Sequence, residues 1–551
     1  MVGRGTGWPA AHSAEVSDER PTAHLDREDP DGLLNARTDP GAGLFGTLGN
    51  EAGSDLNWLS MLRHRVQARA EGSSRYEWWV LWSLLAGLFA LNFTFTVFIV
   101  ALPTVATEFH TSVTVLTWTM VGPLLAYGLA APILGKAGDI YGHRRLYLFG
   151  LLGAMVSAVL TALAHNVDML LFARALDGVQ GAATGTASGA LINMVFGREE
   201  RVKALGWWSL VGAGGPVIGV SLGAPIIAAF GWRALFWFQL VLLVVAFAVV
   251  SIVLPKRRGT SAEEAQKKSE ARAEFRRMDW LGSWTLSLAV TTLMVGLSVG
   301  PSIGWTSPWC LSAFVLSALM TVSFVQRIRT AQNPLIPAHY FRRRNFVMPL
   351  VLRATANFAY FGAFFLFPLL MEQGYGYSIP HVGALAIARP ITFSLCSPIA
   401  GYVAVRIGER VSAVAGATFL TASLGLFALL SPSSGTWMIA LALALSGLGM
   451  GVAMPSSSSV MANEVKPTEF GVMTAAQMLA MQVGEVAGIQ VLETVQQALV
   501  HRHHLAHAKP GPALLATFQL PFLIGAGVGA IGLCSALFIH SVPRERARSA
   551  N

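Results

Sequence analysis

The sequence predicts an all-α polytopic membrane protein of about fourteen transmembrane helices. Three observations carry this. Only 13% of the 551 residues are charged and 53% are hydrophobic, whereas soluble chains carry about 25% charge. Mean hydropathy is +0.53. From Val80 onward the apolar residues fall into blocks of roughly 20, enough for a helix rising 1.5 Å per residue to cross about 30 Å of hydrocarbon.

Taken in order, the blocks run Val80 to Pro103, Val113 to Leu134, Leu146 to Ala164, Met169 to Val195, Ala204 to Phe230 and Ala234 to Leu254. A charged loop follows, then Trp280 to Val299 and Pro308 to Val325. The last six are Phe346 to Met371, His381 to Val405, Val411 to Leu430, Trp437 to Met461, Gly471 to Leu499 and Leu514 to Ile539. An even count puts both termini on one side.

The basic residues test that topology. Of 39, the loops on one side hold 25, the opposite loops three (Arg233, Arg502, Lys509), the N-terminal region eight and the helices three. By the positive-inside rule the rich side is cytoplasmic, so both termini are cytoplasmic and the chain is a multi-pass protein of the cell (inner) membrane. The net charge of +9 is topological, which argues against a nucleic-acid partner. Residues 1–76, polar and without helical periodicity, read as a disordered cytoplasmic tail. Cys310, Cys396 and Cys534 lie within apolar blocks and form neither a disulfide framework nor a metal cluster.

Several clusters carry chemistry. After the second block comes Gly135-Lys136-Ala137-Gly138-Asp139-Ile140-Tyr141-Gly142-His143-Arg144-Arg145. Its glycines permit a tight turn, and Asp139 suits a helix N-terminus or the neighbouring arginines. Gly401, Gly408 and Arg410 repeat Gly135, Gly142 and Arg144 at a constant offset of 266. Internal repeats are a mark of alternating-access transporters. Farther on, the fifth block holds Gly215-Pro216-Val217-Ile218-Gly219, the fourth Arg174 and Gly178, and the first ends Ala101-Leu102-Pro103.

On these residues the chain resembles the major facilitator superfamily, and within it the fourteen-span drug:proton antiporters. The resemblance implies two six-helix bundles, 77–254 and 346–541, with two inserted helices over 280–326 and cytoplasmic segments over 255–279, 327–345 and 542–551. It implies that Gly135, Gly138, Asp139, Gly142, Arg144 and Arg145 gate the cytoplasmic side, that Gly215, Pro216 and Gly219 form a kinked, leak-limiting helix, and that substrate sits between the bundles. The chain departs from the family pattern at Thr94, where a first-helix carboxylate is usual. Val405 stands at the place equivalent to Asp139.

A charge within the bilayer costs roughly 2.5–3.5 kcal/mol on insertion scales and marks a function or a pair. Arg174, Asp177, Arg353, Arg389, Glu485 and Glu493 are the candidates. Arg174 and Asp177 share a helical face; Asp177 is either a stand-in for the missing acid or half of a permanent pair. Arg389 and Glu485 both fall near the midplane. They are expected to pair in one access state and part in the other, or to form a static bridge. Glu493 and Arg353 are expected to snorkel. Asn92, Phe95 and Thr96 with Asn357, Tyr360 and Phe364 would line an aromatic cavity for an amphipathic or cationic organic substrate.

Gly219-Val220-Ser221-Leu222-Gly223 matches a nucleophile elbow but lies in a membrane block, and Gly135-Lys136 lacks the Ser or Thr of a P-loop. The sequence therefore predicts no enzyme, cofactor or metal site. It predicts a monomeric secondary exporter of an organic small molecule, coupled to protons. Uncoupled export of a specific metabolite or lipid, and a non-transporting sensor of the same fold, are the alternatives.

Overall fold

The computed structural model describes residues 76–94, 97–111, 113–116, 118–254, 261–505 and 511–540. All but the last residue of the expected tail over 1–76 lies outside them, as do the tail over 542–551 and the cavity candidates Phe95 and Thr96. Among the described residues the chain is helical throughout, with no strand.

The first half consists of α1 (Tyr76–Asn92), α2 (Val97–Glu108), α3 (Trp118–Tyr141), α4 (His143–Ala162), α5 (Val167–Val195), α6 (Arg198–Phe230) and α7 (Trp232–Val253). A loop helix, α8 (Ser261–Arg276), leads to α9 (Trp280–Ile303) and α10 (Pro308–Thr330). Then come α11 (Arg344–Leu369), α12 (Ile379–Ala386), α13 (Ala388–Ile407), α14 (Glu409–Ala428), α15 (Thr436–Ala462), α16 (Phe470–Arg502) and α17 (Pro512–Leu537).

Eleven of the described helices are long and apolar enough to cross a membrane. The fourteen expected spans include three more regions. Block one is not a single helix: it divides into α1 and α2, of 17 and 12 residues. The other two, α5 and α6, are 29 and 33 residues long and carry charge. Three details differ from the sequence reading. The break in block one was not foreseen, Ile387 separates α12 from α13 within the tenth block, and the loop over 255–279 contains α8. That helix follows from its run of Ala, Glu, Lys and Arg, all strong helix formers.

Local chemistry fixes several ends. Asn166 accepts the Met169 amide at 2.8 Å and starts α5. Asp279 caps α9 through the Gly282 amide at 2.9 Å and also takes Arg327 Nε at 2.8 Å. Between α3 and α4 the chain turns on Gly142 at φ 93°, and between α13 and α14 on Gly408 at φ 97°. Both values lie where a Cβ is strongly disfavoured, and the two glycines are 266 positions apart. The repeat is thus present in the backbone.

In the first half α5 packs on α3 and α4, and α4 on α7; in the second α11 packs on α16 and α17, and α14 on α15 and α17. The halves meet where α16 lies on α3 and α5, and where α6 lies on α13 and α15. The hairpin of α9 and α10 packs against α3 and α16 through α9.

Candidate functional site

Asp139, near the end of α3, joins the two halves at the basic end of the helices. Its side chain is 2% exposed. The Gly471 amide donates to Oδ1 at 2.7 Å and the Val472 amide to Oδ2 at 3.1 Å. These are among the first amides of α16, which have no partner inside their own helix and carry the positive end of its dipole. The carboxylate therefore takes up two orphan donors and a partial positive charge across the interface. His143 Nε2 lies 3.1 Å from Asp139 Oδ1, also 2% exposed. The approach is backbone to backbone: a Cβ on Gly135 would come within 2.7 Å of the Gly471 carbonyl oxygen, and one on Gly471 would run into the Gly135 carbonyl.

The repeat builds a related contact between α13 and α6. A Cβ on Gly401 would lie 2.7 Å from the Val202 carbonyl. No acid reinforces it, because Val405 replaces Asp139 there. Arg201 supplies a different tie: it donates to Asn463 Oδ1 at 3.0 Å and to the Asn193 carbonyl at 2.9 Å, with its guanidinium 5.6 Å from the Phe470 ring centre. Lys203 Nζ stands 5.5 Å over Tyr402 of the other half. Neither Arg201 nor His143 was singled out by sequence, where one counted as a loop charge and the other as a turn residue.

Other residues of the loop stay within their own half. Arg144 donates from Nε to the Leu254 carbonyl at 2.9 Å and from Nη2 to Ser251 at 3.2 Å. Arg410, its repeat partner, donates to the Leu537 carbonyl at 2.8 Å. Each arginine thus holds the C-terminal carbonyls of the sixth helix of its half, where cations are favoured. Gly138 leaves room for His143, whose ring its Cβ would meet at 2.6 Å. Arg145 is exposed.

Within the helices, Arg174 and Asp177 form an ion pair at 2.7 Å, and Gln180 Nε2 donates to the second carboxylate oxygen at 2.8 Å. Arg174, 2% exposed, also reaches the Thr119 carbonyl at 3.3 Å and faces Phe98. Arg353 is buried and donates to Ser458, which donates to Gln477 at 3.2 Å. It does not snorkel. Arg389 donates to the Tyr360 carbonyl, with its guanidinium over the Tyr360 and Phe364 rings. It does not pair with Glu485 in this state. Glu485 is buried and has no hydrogen-bond or ion-pair partner among the described residues.

Of the cavity candidates, Asn92 turns back to the Leu88 carbonyl at 2.9 Å and lies against Gly215. Asn357 is fully buried and donates to the Arg353 carbonyl at 2.7 Å, leaving Oδ1 unpaired. Tyr360 is buried, while Phe364 is 41% exposed. Arg389 covers the face of Tyr360, while Phe364 stays partly exposed beside it. Pro216 and Gly219 lie on α6, which runs on as helix through them.

Two glycine-backed contacts, 266 residues apart, hold two halves of a polytopic helical chain together at one end. The family model of the Major Facilitator Superfamily matches residues 84–489 and 350–551. The chain belongs to this superfamily. Its curated relatives include the multidrug resistance protein Stp of Mycobacterium tuberculosis (strain CDC 1551 / Oshkosh), 27% identical over 433 residues and covering 77% of this chain and 78% of Stp. The tetracenomycin C resistance and export protein of Streptomyces glaucescens is 26% identical over 431 residues, 78% of each chain. Among solved structures, the human organic anion transporter MFSD10 superposes with a TM-score of 0.58 at 17% identity, over 84% of this chain and 99% of that one. The proton:xylose symporter XylE gives 0.57 at 11% identity, over 82% and 95%. These two show the shared superfamily fold. The chain is a membrane transporter of this superfamily and not an enzyme.

Proposed function

We propose that this transporter exports an amphipathic organic compound by alternating access, driven by a proton gradient. The observation that carries the reading is the seat of Asp139 on the first amides of α16. It ties the halves at one end through a buried carboxylate, and its release would loosen that end toward opening. In this reading two six-helix bundles, 77–254 and 346–541, rock about a site between them, with 280–326 inserted, and the basic end faces the cytoplasm. The chain works as a monomer in the cell membrane with both termini inside. Its relatives named for multidrug resistance and for export support efflux as the direction.

Glu485 is the proton carrier in this account. It is buried on α16 with no hydrogen-bond or ion-pair partner among the described residues, and it exchanges its proton when either side opens to water. Asp177, neutralised by Arg174 and Gln180, acts as a positioning group for α5 against α3. Thr94, buried at the break between α1 and α2, favours one second reading, uncoupled export of a specific metabolite or lipid.

Expression of the chain in cells lacking their own exporters tests the proposal. Accumulation of a panel of amphipathic dyes should fall at least for one dye, and return with Asp139→Asn. Equal accumulation of every dye with and without the chain would count against export.

A further inference from the structure

Arg174, Arg353 and Arg389 lie inside the apolar blocks, and among the described residues only Arg174 pairs with an acid. Arg174 shows how this fold stabilises an intramembrane guanidinium: a carboxylate at 2.7 Å, itself held by Gln180 at 2.8 Å. Arg389 is just as deeply buried, at 1% exposure, yet no carboxylate among the described residues pairs with it. Its one hydrogen bond is to a main-chain carbonyl, that of Tyr360, and its Nε has no partner. A guanidinium cannot escape this by losing its proton. A buried charge without a counter-ion is a marker of function.

The surroundings are built to present that charge. Arg389 extends from the start of α13 to the Tyr360 carbonyl of α11. The guanidinium centre stands 3.6 Å from the Tyr360 ring centroid and 5.4 Å from that of Phe364. Tyr360 is in turn braced edge-on by Phe361 and Phe393. With one hydrogen bond made and Nε unpaired, the guanidinium keeps donors for a planar acceptor. Pro390, the next residue, has no amide to donate.

We infer that Arg389, seated on Tyr360 and Phe364, is an anion-recognition site, and that the exported compound is an amphipathic organic molecule bearing a carboxylate or comparable acidic group. This deepens the export reading and rests on it. The arginine supplies the cation of the aromatic site, so an organic cation meets repulsion there. A carboxylate takes the two-donor edge of the fork, the pairing to which a planar guanidinium is best matched, and the partly exposed ring of Phe364 takes the apolar body.

The test uses the full chain, purified, and three probes with one skeleton: 2-naphthylacetate, its neutral amide, and 2-naphthylethylammonium. Binding is read by equilibrium dialysis and needs no transport. The carboxylate should bind at least tenfold tighter than the amide, and the ammonium more weakly than either. Arg389→Gln should abolish the carboxylate's advantage while leaving amide binding within about twofold, and Arg389→Lys should keep part of it. The wild-type ranking stands as a test even if Arg389→Gln does not fold. A wild type that binds amide or ammonium as well as carboxylate overturns the inference, as does a carboxylate preference that survives in folded Arg389→Gln. If Glu485 were the anion that Arg389 awaits, the wild type would show no preference and Glu485→Gln would create one, which also overturns it. Arg389-dependent carboxylate binding without flux would instead reject the export reading and leave the site standing.

Discussion

Asp139→Asn removes the charge from the joint between the halves while keeping its shape. The carboxylate accepts two backbone amides, at 2.7 and 3.1 Å, with 2% exposure. Hydrogen bonds to a charged group contribute about 1.5–3 kcal/mol each, and neutral ones about 0.5–1.5. Asparagine can accept from one amide through its carbonyl, but its NH₂ then meets the other amide donor to donor. The net loss is about 2–4 kcal/mol, or roughly 30- to 1000-fold in the balance between the closed and open basic end. If closed molecules outnumber open ones by about 100 to 1, a loss of 2.8 kcal/mol brings the two states to near parity. Spin labels at Gly197→Cys and Thr468→Cys report this, after replacement of Cys310, Cys396 and Cys534. Gly197 suits the purpose, since its φ is −62° and a Cβ there meets nothing within 4 Å. The expected result is a second, longer distance of comparable weight in Asp139→Asn. An unchanged distance distribution in folded protein would refute the joint as a determinant of the closed end.

Three further outcomes follow from the packing. Gly178→Ala should destabilise by about 1–3 kcal/mol or prevent folding, because its Cβ would strike the Pro123 carbonyl of α3; thermal melts of purified protein check this. Arg174→Ala leaves the Asp177 carboxylate with Gln180 alone and should cost about 3–5 kcal/mol, whereas Arg174→Ala with Asp177→Asn should cost less than that single change. A double-mutant cycle in melting temperature tests it, and additive losses would argue against the pair. Arg201→Ala should loosen the second contact between halves and increase modification of a cysteine placed at Tyr402, measured by the rate of maleimide labelling; an unaltered rate would remove Arg201 from the gate.

Much of this was legible because a bilayer imposes coarse rules. Block length gave most of the helices, and the 266-residue offset located Gly142 and Gly408 at turns that the backbone makes with nearly equal φ. Rotation about a helix axis was less legible. Counting rise put Arg389 and Glu485 at similar depth, yet depth does not say which way a side chain faces, and here Arg389 turns to Tyr360. The same gap hid the partner of Asp139, because the groups that donate to it are the backbone amides of Gly471 and Val472, which no side-chain pattern announces. Arg201 was hidden for a different reason: a basic residue at a helix start is first of all a topology signal.

Substrate-linked proton movement through Glu485 is the central claim. The full chain in proteoliposomes, with a pH dye inside and an imposed pH gradient, would be given amphipathic compounds of either charge while both fluxes are recorded. The account predicts proton flux that appears only with a transported compound, in the wild type and not in Glu485→Gln, which should still exchange substrate. Compound flux without proton movement in the wild type, or unchanged coupling in Glu485→Gln, would contradict it.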